Sequence, residues 1–127
     1  MADAVYVVAG GHSIETNRLK GTGTEPKFCG WGTGATAALP ADTGLETAAA
    51  EARTDGTSTQ QTTTVANDTY QVIAAITCAG AGKTITEIAL YDALTAGNVY
   101  LHGTFSGIPL SISDAVQFTI KVKYTNA

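Results

Sequence analysis

From Asp114 to Tyr124 the chain reads DAVQFTIKVKY, so that Val116, Phe118, Ile120, Val122 and Tyr124 alternate with Ala115, Gln117, Thr119, Lys121 and Lys123. A period of two sends the apolar set to one face of a strand and the polar set to the other. Shorter stretches repeat the idea. Ala4 to Ala9 is an apolar run closed by Gly10 and Gly11, and Lys27 to Trp31 follows Pro26 as a short strand. Thr59 to Ala66 and Tyr70 to Cys78 flank Asn67, Asp68 and Thr69, residues that suit a hairpin connection because Asn and Asp tolerate left-handed backbone. In the second arm Tyr70, Val72, Ala74, Ile76 and Cys78 share a face. Thr84 to Tyr91 and Asn98 to Phe105 supply two more strands, the latter with Val99, Leu101 and Phe105 on one face after a turn at Ala96, Gly97 and Asn98. A turn at Ser113 and Asp114 precedes the last strand.

Residues 12–25 are polar and carry no sustained period, which predicts a loop. The one helical signal lies further on, where Thr43 followed by Glu46 resembles a capping box ahead of an alanine-rich stretch. It predicts a helix of two or three turns near residues 44–53, although its apolar face would be almost all alanine, which buries little area. The expected fold is all-β, an antiparallel β-sandwich or jelly roll of seven to eight strands with that one short helix. With 127 residues the chain suits a single β-sandwich domain over 1–127, with residues 1–11 as an N-terminal arm.

Composition sharpens this picture. Charged residues make up only 14% of the chain, against about 25% in an ordinary soluble domain, and threonine and alanine are abundant. Few charges then oppose contact with another neutral surface, which suits a protein covered by partners. A net charge of −4 with no run of Lys or Arg argues against nucleic acid. The absence of a long apolar stretch or of a basic leader points to synthesis in the cytoplasm and no membrane span. Cys29 and Cys78 lie in apolar segments and are read either as a disulfide between strands or as two buried thiols, the second favoured by a cytosolic origin.

Candidate chemistry is sparse. Gly80 to Thr84, GAGKT, looks like the end of a phosphate-binding loop, but Thr77 stands where the motif needs its first glycine and a strand follows where it needs a helix. A hairpin turn is the reading taken. His12 and His102 are remote from each other and from ligand-type spacing, so His102, on the strand face opposite Leu101, is expected to be solvated or to face a partner. Glu87 interrupts an otherwise apolar segment between Ile85 and Ile88 and is expected to hydrogen-bond locally; with Asp92 it forms no recognisable acid–base pair. Trp31, beside Gly30, Gly32 and Gly34, is either a core anchor or an exposed contact. No catalytic residue, metal site or cofactor emerges, and the chain is read as a non-enzyme.

The segments KFCGWGTG at Lys27 to Gly34, a Thr43 and Leu45 segment, TITEIALYD at Thr84 to Asp92, Gly103, Thr104 and Phe105, and a Ser–Asp turn into an alternating strand occur in an order that resembles capsid cement (decoration) proteins of tailed bacteriophages and related small virion structural proteins. The resemblance covers Lys27 to Val122. It implies a β-sandwich or jelly roll on the capsid exterior of the virion, where a homo-oligomer, a homotrimer rather than a homodimer, bridges subunits of the major capsid protein. It also implies that Gly30, Gly32 and Gly34 serve tight backbone and that Ile85, Ile88 and Leu90 serve the core, with Ala89 standing where a glycine is frequent.

For the capsid or subunit interface the expected residues are Val5, Tyr6, Val7, Val8 and Trp31, the first four either a donated arm or an ordinary first strand. Two other classes differ in prediction. A tail-fibre or receptor-binding module would bind host surface glycans through Trp31, Tyr91 and Tyr100. A small β-sandwich enzyme would need a metal or carboxylate cluster.

Overall fold

The computed structural model describes residues 3–125, which form eight strands and one helix. Strands β1 (Ala4–Val7), β2 (Phe28–Gly32), β3 (Thr54–Asp55), β6 (Lys83–Tyr91) and β7 (Val99–Leu110) make one sheet in the order β1-β7-β6-β2-β3. Strands β4 (Thr57–Gln61), β5 (Thr69–Thr77) and β8 (Ala115–Lys123) make the other, in the order β4-β5-β8. Every pairing is antiparallel. This is the all-β sandwich with one short helix that the alternation predicts.

The core lies where the alternating faces meet. Val72, Ala74, Ile76 and Ile120 of the smaller sheet pack against Trp31, Ile85, Leu90 and Leu101 of the larger. Trp31 and Phe118 meet edge to face across the sandwich, 6.5 Å between centroids at 85°, the geometry the aromatic quadrupole prefers. Val116, Phe118 and Val122 line the inner side of β8 as expected, while Tyr124, beyond its end, is exposed. A second, smaller cluster of Val8, Ala89, Tyr91 and Val99 forms on the opposite face of the large sheet, with Phe28 and Leu45 against it.

Several expectations need correction. The helix is α1, Gly11–Lys20, within the segment read as a loop; residues 44–53 are not helical. The alanine-rich segment is held against the large sheet at its start, where Leu45 N–H donates to Tyr91 Oη and the Glu46 and Thr47 amides donate to Glu87, and Ala48 then forms a bridge with Gly32. It runs instead beside β2, held by Thr33 N–H to the Thr47 carbonyl and Ala49 N–H to the Trp31 carbonyl. Helix α1 shows no periodicity because only Gly11 and Ile14 are buried. Its end was legible: Arg18 and Lys20 complement the dipole in the last turn, and Gly21 caps it at φ 89°.

Val99 and Leu101 do not share a face. Tyr91 pairs with Val99 and Leu90 with Leu101, so Tyr100 is an extra residue, a β-bulge that sends Val99 to the small cluster and Leu101 to the main core. The hairpin between β4 and β5 closes through residues 62–68 rather than a three-residue turn, with the Asp68 carboxylate accepting from the amides of Thr63, Thr64 and Val65. Gly80, at φ 76°, turns the chain not within a hairpin but from β5 in one sheet to β6 in the other. Cys29 and Cys78 are both buried free thiols.

Candidate functional site

The motifs that carry the resemblance converge on one buried carboxylate. Glu87 is 0% exposed. Its Oε1 accepts from Glu46 N–H at 2.8 Å and lies 2.7 Å from His102 Nε2; its Oε2 accepts from Gly34 N–H at 2.8 Å and Thr47 N–H at 2.9 Å. His102 Nδ1 in turn lies 2.7 Å from Asp42 Oδ2, which also accepts from Leu39 N–H. Both ring nitrogens thus lie within hydrogen-bond distance of a carboxylate oxygen.

Two expectations fail here for the same reason. Glu87 does not bond locally: its backbone partners are 40 to 53 positions away. His102 is not solvated but 2% exposed, because the 33–48 segment folds over the outer face of the large sheet and brings Asp42 to it. The one signal available in the sequence was the placement of Glu87 among apolar residues, since a buried charge must find partners.

The glycines follow from this. A Cβ at Gly34 would lie 2.5 Å from Glu87 Oε2 and one at Gly32 2.6 Å from it, with the Thr47 carbonyl also in the way. Ile85, Ile88 and Leu90 are buried as the resemblance implies, and Ala89 is buried in the small cluster. The far end of the segment is fixed by Glu51, whose carboxylate accepts from Trp31 Nε1 at 2.8 Å and Ala79 N–H at 2.8 Å and pairs with Lys83.

Electrostatics agrees with the geometry. Burial pushes the Glu87 carboxyl upward, but the amides of Thr47, Glu46 and Gly34 and the His102 ring outweigh it and hold Glu87 below the usual carboxylate range. Asp42 is lowered in the same way, its desolvation outweighed by Leu39 N–H and His102. Glu51, raised by burial and lowered more strongly by Lys83, Ala79 and Trp31, settles at about 2. Among the described residues no group of three or more His, Cys, Asp or Glu side chains is placed to hold a metal.

The residues expected at an interface divide. Trp31 is 1% exposed and Val8 0%, so neither offers a side chain to a partner; Trp31 is the core anchor of its two readings. Val7 packs partly against the main core. Val5 and Tyr6 are 61% and 40% exposed. They lie on β1, which pairs with β7 of its own chain and forms an edge of the large sheet; the first two residues of the expected arm fall outside the described residues. The aromatics weighed for glycans, Trp31, Tyr91 and Tyr100, are all buried, Tyr100 at the bulge.

The edges form the most accessible feature. Strand β4, TSTQQ, is an edge of the small sheet and β1, AVYV, an edge of the large one; neither contains a charged residue or a proline. An edge strand presents unpaired N–H and C=O groups, and charge or proline is what blunts it. The opposite edge of the small sheet, β8, carries Lys121 and Lys123. No protein-family model, no curated protein and no solved structure matches the chain.

Proposed function

We propose that this chain is a virion structural protein that, like the capsid cement proteins its motifs resemble, binds the outer surface of an assembled capsid as a homo-oligomer and supports contacts between major capsid subunits. The observation that carries the reading is the pair of unblunted edges, β1 and β4, one on each sheet. An edge without charge or proline is a template for strand addition by another chain. The presence of one on each sheet gives the molecule two directions in which to contact neighbours, and many identical weak contacts on a shell act together as avidity.

The clamped 33–53 segment fits the same role. Glu87, His102, Glu51 and the glycines spend their chemistry on fixing a long connection to the sheet, which makes a rigid body for packing rather than a mobile lid. Mature shells lacking the protein, heated with and without the purified chain, test the reading. A ligand that binds only the intact shell must raise its melting temperature. A melting temperature that does not change with added chain overturns the proposal.

A further inference from the structure

At one end of the sandwich a cleft of about 560 Å³ opens beneath α1, within the range of about 300–1,000 Å³ typical of small-ligand sites. Three tyrosines from different parts of the chain converge there: Tyr124 after β8 is exposed, Tyr70 of β5 is half-buried, and Tyr100 of β7, itself buried, backs them. The delivery of Tyr100 depends on the bulge, a device found beside functional sites because it re-aims a side chain. The Tyr70 and Tyr100 rings meet edge to face at 6.5 Å, Tyr100 Oη lies 3.3 Å from Tyr124 Oη, and Tyr70 Oη donates to the Pro26 carbonyl at 3.1 Å.

Ile14, Leu19 and Pro26 add apolar wall, and polar groups line the rest. Glu25 lies within electrostatic reach of the Tyr70 phenol and Glu15 of the Tyr124 phenol, while Gln60 and Arg18 complete the wall, Arg18 donating to the Gly23 carbonyl at 2.8 Å. The wall therefore pairs aromatic rings with carboxylate, amide and guanidinium groups, and its two negative charges are offset in part by one positive charge.

We infer that this cleft is a saccharide-binding site. A sugar ring has one face of C–H groups, which packs on the electron-rich face of an aromatic ring, and a rim of hydroxyls that both donate and accept. Carboxylates accept from such hydroxyls, and Arg and Gln donate to them. A cationic amine would use the rings and carboxylates too, but would leave the Arg18 and Gln60 N–H donors without an acceptor on the ligand. An apolar ligand would leave the polar wall unpaired.

This inference does not rest on the capsid reading: the cleft shares Gln60 with the β4 edge, and Tyr124→Ala, on neither edge of that reading, separates the failure of one from the failure of the other. It is tested by recording backbone amide NMR spectra of the full chain while adding, separately, the methyl glycosides of glucose, galactose, mannose, rhamnose and N-acetylglucosamine, with tetramethylammonium as the cationic probe. Saturable shifts at the cleft residues with at least one glycoside, weakened about five- to tenfold by Tyr124→Ala or Gln60→Ala through loss of a ring or hydrogen-bond contact, are expected. Both side chains are exposed, so the fold is kept, and the unchanged spectrum outside the cleft verifies it. The inference is overturned if no glycoside moves the cleft resonances, if tetramethylammonium alone moves them, or if the two variants bind as the wild type does.

Discussion

The Glu87 carboxylate and the His102 ring, on adjacent strands and 2.7 Å apart, are both closed to water, and the 33–48 segment lies over them. The pair joins that segment to the sheet, because Glu87 also accepts its amides and His102 reaches Asp42 within it.

Glu87→Gln therefore costs more than a surface change. Glutamine has one acceptor oxygen where the carboxylate has two, so at least one of the buried Gly34, Glu46 and Thr47 amides must face an NH2 group. Breaking a buried pair costs about 3–5 kcal/mol, a fall of roughly 10 °C or more in the melting temperature of a domain of this size. Thermal unfolding checks the size, and hydrogen exchange checks the place: the amides of Gly34, Glu46 and Thr47 are expected to lose protection in the variant.

Stability is expected to fall in acid. Glu51 has a folded pKa of about 2 against an ordinary 4.5, and Glu87 and Asp42 are lowered too. A carboxyl depressed by folding contributes stability that is present above its unfolded pKa and is lost as pH falls through its folded one. The urea midpoint should hold near neutral pH and drop from about pH 4.5 toward 2, the interval set by Glu51. Glu51→Gln is expected to be less stable at neutral pH and to show a shallower fall, while a parallel fall in both proteins would contradict the assignment.

Close backbone approach makes a sharp contrast between glycines. Gly32→Ala places a methyl against the Thr47 carbonyl and Glu87, neither of which can withdraw without breaking the clamp. A loss of about 1–3 kcal/mol is expected from such overpacking. Gly10→Ala meets nothing within 4 Å and is expected to unfold at the wild-type temperature.

Cys29 and Cys78 are expected to behave as buried thiols. Burial pushes the Cys29 thiol up to about 12, so little of it is thiolate at neutral pH. Both should resist a thiol reagent in the native protein and react promptly in urea. Prompt native labelling would contradict their burial.

What could be read from the residues was whatever depended on near neighbours. The inward faces of β5 and β8 follow directly from alternation, as do the turns at Gly97 and Ser113, where the backbone takes positive φ. What could not be read depended on distant partners. The segment at 44–53 has a helical signature but is laid along β2, bridged to it at Gly32 and Ala48 and by bonds to Trp31 and Thr33. Helix α1 lacks an apolar stripe because it buries only Gly11 and Ile14. The bulge at Tyr100 resets the face pattern of β7, and no composition signal marks it. For the interface, exposure of Val5 and Tyr6 agrees with an available β1 edge, whereas Trp31, the more conspicuous candidate, is consumed by the core.

The unblunted edges lead to a test in solution. Val5→Lys on β1 and Thr59→Lys on β4 introduce the charge that each edge lacks, at exposed positions. Sedimentation equilibrium is expected to give a multiple of the chain mass for the wild type and a smaller species for the double variant, with the same melting behaviour of the isolated fold.

Counting copies on the shell is the most direct measurement. Purified chain is co-sedimented with mature tailed-phage capsids that lack it, and bound copies are counted per major capsid subunit for the wild type and for the double edge variant. The account predicts saturation at a fixed ratio over the whole shell for the wild type and weakened binding for the variant. No binding, or only a few copies per particle, would contradict it.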